Sequence, residues 1–242
     1  MIFSVYFYKN SDSDSNKNAS NPTTQTKNKK ETESDGSNPF DITKYSLTDP
    51  KSLWVIVNKH LSIAQDFVPE LTVPDVKLRL NSSEEQMKIN SSTAPAIKEL
   101  FQGASQDNIT LVFGSGYRSG KLQAQFYADY VAKDGVSQAD TYSARPGHSE
   151  HQTGFSADII SSDSACNMQL CWADTTEGKW LADNSYKYGF IIRYPKDKQN
   201  ITGYQYEPWH IRYVGKDLAL QIHNSNKTLE EFFNLDSAPT YN

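Results

Sequence analysis

Apolar residues are missing from one long stretch of this chain and gather in short runs after it. Residues 9–38, KNSDSDSNKNASNPTTQTKNKKETESDGSN, contain no Leu, Ile, Val, Phe, Tyr or Trp. Such a segment has nothing to bury that would offset the entropy of ordering it, and it reads as a disordered tether. The pattern changes at about Phe40. LWVIV (53–57) is a β-branched run expected as a buried strand or extended segment, and FVPELTVPDVKL (67–78), with two prolines, as an extended loop. Ala96, Ile97, Leu100 and Phe101 share one face of a helix expected over 92–103, capped by Ser91 or Ser92. NITLVFGSGY (108–117) reads as a strand ending in a glycine turn. A second helix follows over 119–133, with Leu122, Phe126, Tyr127 and Tyr130 as its apolar face. FSADII (155–160) alternates, with Phe155, Ala157 and Ile159 on one side and Ser156, Asp158 and Ile160 on the other. A helix is expected at about 174–187, strands at 189–194 and 204–214, and helices through GKDLALQIHNS and TLEEFF.

This order of elements predicts an α+β fold: a single compact domain with a small, mainly antiparallel sheet and flanking helices. Its expected limits are 1–39 for an apolar start plus the tether, 40–236 for the domain, and 237–242 for a tail. No internal repeat is present.

Composition narrows the function. The formal net charge is −5 with a pI near 5.5, which argues against a nucleic-acid partner. MIFSVYFY at the N-terminus is apolar but too short for a membrane span and lacks the parts of a signal peptide. An association with a membrane through this end is an expectation, and nothing points beyond a monomer. Cys166 and Cys171 are the only cysteines. They are too few for a zinc site of their own, and a short-loop disulfide, implying export, is preferred to two free thiols.

Candidate chemistry sits in three segments: SGYRS (115–119), RPGHSEHQTGFSADI (145–159) and YEPWHIRYVG (206–215). Three of the five histidines of the chain, His148, His151 and His210, fall in the last two. Together with Asp158 and Glu207 they offer the nitrogen and oxygen donors that suit zinc, which in catalytic sites takes three protein ligands and a water. Gly154 permits a turn that brings His151 towards Asp158. In a regular strand Glu207 and His210 would face opposite ways, so a turn or bulge at Pro208 is expected to bring them to one pocket. Each residue alone has a plainer reading: a core or surface histidine, an Asp158 paired with Arg193, a Trp209 that merely packs.

Taken jointly, SGYRS with Gln123, S-x-H-x-x-G-x-x-x-D from Ser149 to Asp158, and EPWHIRYVG resemble the VanY-type D-alanyl-D-alanine carboxypeptidases and their L,D-carboxypeptidase relatives. SLWVIVNKHLSIAQDFVPELTV (52–73) is similar to the entry segment of that family, so the resemblance spans roughly 40–223. It implies a zinc metallo-carboxypeptidase acting outside the cytoplasm, at the surface of a bacterium, on peptidoglycan stem peptides. It implies His151, Asp158 and His210 as zinc ligands, Glu207 as catalytic base and Arg118 as the group stabilising the oxyanion. Ser149 and Gln123 would bind substrate, joined by Tyr117 and Trp209 from the same motifs. His148 matches no ligand. Ser156 departs from the alanine usual in the family. The terminal D-alanine of a D-Ala-D-Ala stem is the preferred target, with the L,D reaction on tetrapeptide stems as the alternative. A cell-wall-binding module without activity would have no need of Glu207.

Overall fold

The computed structural model describes residues 40–80, 82–162 and 166–242. The tether expected over 9–38 and the apolar N-terminus lie outside them. Six strands are named in chain order: β1 (Leu71–Thr72), β2 (Ile89–Asn90), β3 (Leu111–Ser115), β4 (Ser156–Ser161), β5 (Phe190–Ile192) and β6 (His210–Tyr213). The helices are α1 (Ala94–Gln106), α2 (Gly120–Asp134), α3 (Val136–Ala139), α4 (Thr176–Asn184), α5 (Gln199–Thr202), α6 (Lys216–Ser225) and α7 (Leu229–Phe232). β1 and β2 form a small antiparallel pair, and the other four make an antiparallel sheet in the order β3-β4-β6-β5. The α+β expectation therefore holds.

β4 is the strand that organises the domain. Flanked by β3 and β6, all six of its residues are buried, on both faces. Its alternation is thus core against site rather than core against water. Ala157 and Ile159 pack with Ile97, Leu100, Phe113 and Ile211 in the main core, while Ser156 and Asp158 turn to the other side. Burying apolar area contributes about 25 cal/mol per Å², so this layer of sheet against α1 supports the site from its core side.

Several local expectations are corrected. α1 begins at Ala94 with Thr93 at its cap and Pro95 in its first turn. Ser92 instead bonds to Asn90 Oδ1. LWVIV takes the extended alternative: 54–57 are buried but not paired as a strand. Its carbonyls at Leu53 and Val55 accept from the Arg212 guanidinium, and Trp54 Nε1 donates to Val214 O. The expected apolar face of α2 is only half covered, and Tyr130 is exposed. Its buried residues are Gly120 and Gln123, because this helix borders a polar cleft rather than the core. The residues set apart as a tail pack on the domain, with Ala238 fully buried and its N–H on Ile201 O.

Cys166 and Cys171 are joined, closing a short loop with a Cα–Cα distance of 5.4 Å. Among the described residues no helix is long and apolar enough to cross a membrane.

Candidate metal centre and cleft

Sheet register places two of the candidate ligands. Asp158 on β4 lies opposite His210 on β6, and Ser115 on β3 lies opposite Asp158. The third comes from a 3₁₀ turn, Glu150–Thr153, that leads into β4. Thr153 stitches that turn, its hydroxyl donating to Glu150 O and accepting from Phe155 N–H. Gly154 closes it at φ +69°, where a Cβ would stand 2.8 Å from Asn90 N. Both conformation and space therefore call for glycine.

His151, Asp158 and His210 are all buried, and one donor atom from each lies within 4.8 Å of the others. Asp158 sits between the rings, with Oδ2 3.4 Å from His151 Nε2 and Oδ1 3.4 Å from His210 Nδ1. His151 Nδ1 is 2.7 Å from Gly116 O. A carbonyl accepts only, so the proton belongs on Nδ1 and the lone pair of Nε2 faces the cluster. On His210 the roles reverse: Nδ1 faces the cluster and Nε2 points away.

The chemistry of this donor set fits zinc: two imidazole nitrogens and a carboxylate, converging and dry, with room left beside them. Electrostatics agree. Burial acts to raise Asp158, yet the two histidines hold it well below the ordinary carboxylate range. Burial lowers His151 and outweighs the attraction of Asp158. For His210 burial is outweighed by its bond to Asp158, and its pKa rises.

Glu207 reaches the same point as expected, through a turn. Residues 208–209 turn, His210 N–H donates to Glu207 O, and strand β6 starts only at His210. Glu207 Oε2 then lies 3.4 Å from His210 Nδ1. Burial raises this carboxyl from 4.5 to about 7, with Asp158 adding to the effect and His210 and Arg118 opposing it. A carboxyl poised near neutrality beside a metal-type cluster suits proton transfer.

These groups line a cleft of about 240 Å³. Arg118 lies on its wall, with Nη1 donating to Gln123 Oε1 at 3.0 Å and its guanidinium 5.1 Å from the Phe126 ring. Gln123 in turn donates to Ala144 O at 2.6 Å. Ser149 and Trp209 line the cleft as well, and Trp209 also packs in the main core. Tyr117 is the exception among the expected residues: it is buried behind the wall and does not line the cleft. His148 stands apart, its Nδ1 2.8 Å from Asn58 O.

Sequence reasoning passed over Glu150, which also lines the cleft and is fully buried. Its Oε1 accepts from Arg193 Nε at 2.7 Å and Arg212 Nη1 at 2.8 Å. Arg193 is therefore the partner of Glu150 and Glu230, not of Asp158. Burial would raise Glu150, but the two arginines outweigh it and bring it to about 2.

The family model for VanY, D-alanyl-D-alanine carboxypeptidase, matches residues 86–216. The chain belongs to this family. It is 40% identical to YodJ of Bacillus subtilis (strain 168) over 189 residues, 78% of this chain and 69% of the relative. The solved LdcB LD-carboxypeptidase superposes with a TM-score of 0.73 at 40% identity, covering 78% of this chain and 88% of the other. A vancomycin-resistance D,D-pentapeptidase VanY, solved in complex with Zn(II), gives a TM-score of 0.61 at 33% identity over 74% of this chain and 98% of the other. This member of the VanY family is a metallo-carboxypeptidase.

Proposed function

We propose that the chain is a zinc-dependent carboxypeptidase that releases the terminal D-alanine of peptidoglycan stem peptides outside the cytoplasm. The observation that carries this reading is Glu207, raised to about 7, standing 3.4 Å from one member of a three-donor cluster inside one cleft. His151, Asp158 and His210 would hold the ion. Zinc bound there would supply a water acidic enough to serve as nucleophile near neutral pH. Glu207 accepts the proton of that nucleophile and later passes it to the leaving amine. Arg118, fixed by Gln123, presents a guanidinium to the negative charge that develops on the scissile carbonyl oxygen. Ser149 lines the cleft and is the hydroxyl assigned to a free terminal carboxylate, a contact that would make the reaction an exopeptidase one. Trp209 walls the cleft, and Tyr117, buried outside its lining, is assigned no contact with substrate. The joined Cys166 and Cys171 fit an oxidising compartment.

Two stems compete. The sequence favours the D-Ala-D-Ala bond of a pentapeptide, in line with the family description. The likeness to the LD-carboxypeptidase LdcB, 40% identical against 33% for the D,D-pentapeptidase VanY, moves the preference to the tetrapeptide, where the bond follows an L-centre. TM-scores do not separate the two activities, since the L,D-carboxypeptidase DacB gives 0.57 beside 0.61 for VanY. D-alanine release from defined pentapeptide and tetrapeptide stems, with zinc or with chelator, tests both readings, using wild type and Glu207→Ala. The expected result is chelator-sensitive release, faster from the tetrapeptide and abolished in the variant. Release from the pentapeptide alone would restore the D,D reading. A folded, zinc-loaded protein inert on both stems would overturn the function.

A further inference from the structure

The carboxylate of Glu150 has two ends with different surroundings. Oε1 is saturated by the Arg193 and Arg212 guanidinium groups. Oε2 accepts one bond, from the Ser156 hydroxyl at 3.1 Å, which leaves it acceptor capacity. The polar atom facing that capacity is His210 Nε2, 4.0 Å away. His210 Nε2 is itself buried and without a hydrogen-bond partner among the described residues. The two atoms thus face each other in a buried interior at ion-pair rather than hydrogen-bond distance, and a small shift of the ring would let a proton on Nε2 satisfy both.

We infer that Glu150 is a positioning residue for His210: when an ion is bound it keeps the ring proton on Nε2 and so leaves the lone pair of Nδ1 for the metal, on the side of Asp158 and Glu207. The inference rests on the metal-site reading proposed above. Histidine metal ligands are commonly oriented by a carboxylate on the far ring nitrogen. Here that carboxylate is unusually well anchored. Arg193 spans from Glu150 to Glu230 of α7, donating to both oxygens of the latter at 2.7 and 3.0 Å. Asn58 also bonds Glu230. Two arginines against two glutamates balance in charge, so Glu150 does not require a charged imidazolium to neutralise it. The Tyr194 ring, 5.0 Å from that of His210, limits rotation of the imidazole. Ser156, where the family usually has alanine, occupies part of the acceptor capacity and, among the described residues, is the group that competes with His210 for Oε2.

The test reads imidazole N–H protons by NMR in the zinc-loaded full chain, beside zinc affinity from chelator competition. In wild type the His210 Nε2 proton should be shifted downfield and slow to exchange. Glu150→Gln should move it upfield and speed its exchange while leaving the His151 Nδ1 proton, on Gly116 O, unchanged. Zinc affinity should fall about 10- to 100-fold. Ser156→Ala should move the His210 proton further downfield. A His210 proton that stays put in both variants, or a His151 proton that moves equally, overturns the inference. Should Glu150→Gln fail to fold, Ser156→Ala carries the test alone, and no movement there refutes it. A wild-type protein that takes up no zinc defeats the metal-site reading and this inference with it, whereas zinc uptake with an unmoved His210 proton defeats the inference alone.

Discussion

Glu207→Gln separates the cost of an ionised carboxylate from its use. Burial lifts this group from 4.5 to about 7. Between those pH values the folded, metal-free protein keeps a proton that the unfolded chain has released. The native state then binds more protons, so stability falls as pH rises. The contribution is complete below 4.5 and lost as pH passes through about 7. A tenfold change in acidity corresponds to about 1.4 kcal/mol, so ionised Glu207 costs the metal-free fold about 3 kcal/mol at pH 8. The amide has the same shape and no such term.

Urea unfolding followed by tryptophan fluorescence, with chelator present, gives the stability of both proteins from pH 4.5 to 8. Near pH 4.5 the two should differ only by the small effect of exchanging a hydroxyl for an amide. By pH 8 Glu207→Gln should have gained about 3 kcal/mol on the wild type. The zinc-loaded variant should hydrolyse no stem peptide, which places the cost and the activity in one carboxyl. Parallel stability curves across that range would refute the reasoning, because they would mean that Glu207 titrates alike in the folded and unfolded chain.

Arg118→Lys keeps the charge but not the bond to Gln123, and should lower kcat about 100-fold; steady-state assays showing kcat intact would remove Arg118 from the transition state. Cys166→Ser opens a loop of sequence separation 5 and should cost about 2 kcal/mol under oxidising conditions, a loss that reductant should reproduce in wild type during denaturant unfolding. Gly154→Ala forces a Cβ onto Asn90 at positive φ and should destabilise by more than about 1 kcal/mol, with zinc affinity falling as the His151 turn shifts; an unchanged calorimetric Tm would contradict the tight fit described.

Much of this domain could be read from residue order because its signals are local. The apolar spacing of α1, the apolar start and glycine turn of β3, the alternation of β4 and the Gly154 turn each lie within a few residues of what they determine. Where local pattern failed, a tertiary demand had replaced it. Leu122, Phe126, Tyr127 and Tyr130 have helical spacing, yet α2 buries Gln123 instead, because Gln123 must hold Arg118 and Ala144 at the cleft. LWVIV leaves a strand and an extended segment open, and only the fold decides, since its carbonyls serve a guanidinium from β6 rather than a neighbouring strand.

The same distinction explains why the ligands were legible and their support was not. A period of two would set Glu207 and His210 on opposite faces. Pro208, unable to donate a hydrogen bond, marks the place where that period breaks, and β6 then begins on the ligand itself. One visible irregularity thus announces two converging side chains. Glu150 carries no comparable mark. Its partners lie 43 and 62 residues away, and the Glu230 that fixes Arg193 is 37 residues beyond that arginine. Contacts at such separations leave no periodicity along the chain, so a buried charge among them reads as one more surface glutamate. A motif therefore exposes the atoms that would meet the ion, while the rigidity that holds those atoms comes from charges scattered along the chain and joined only in the fold.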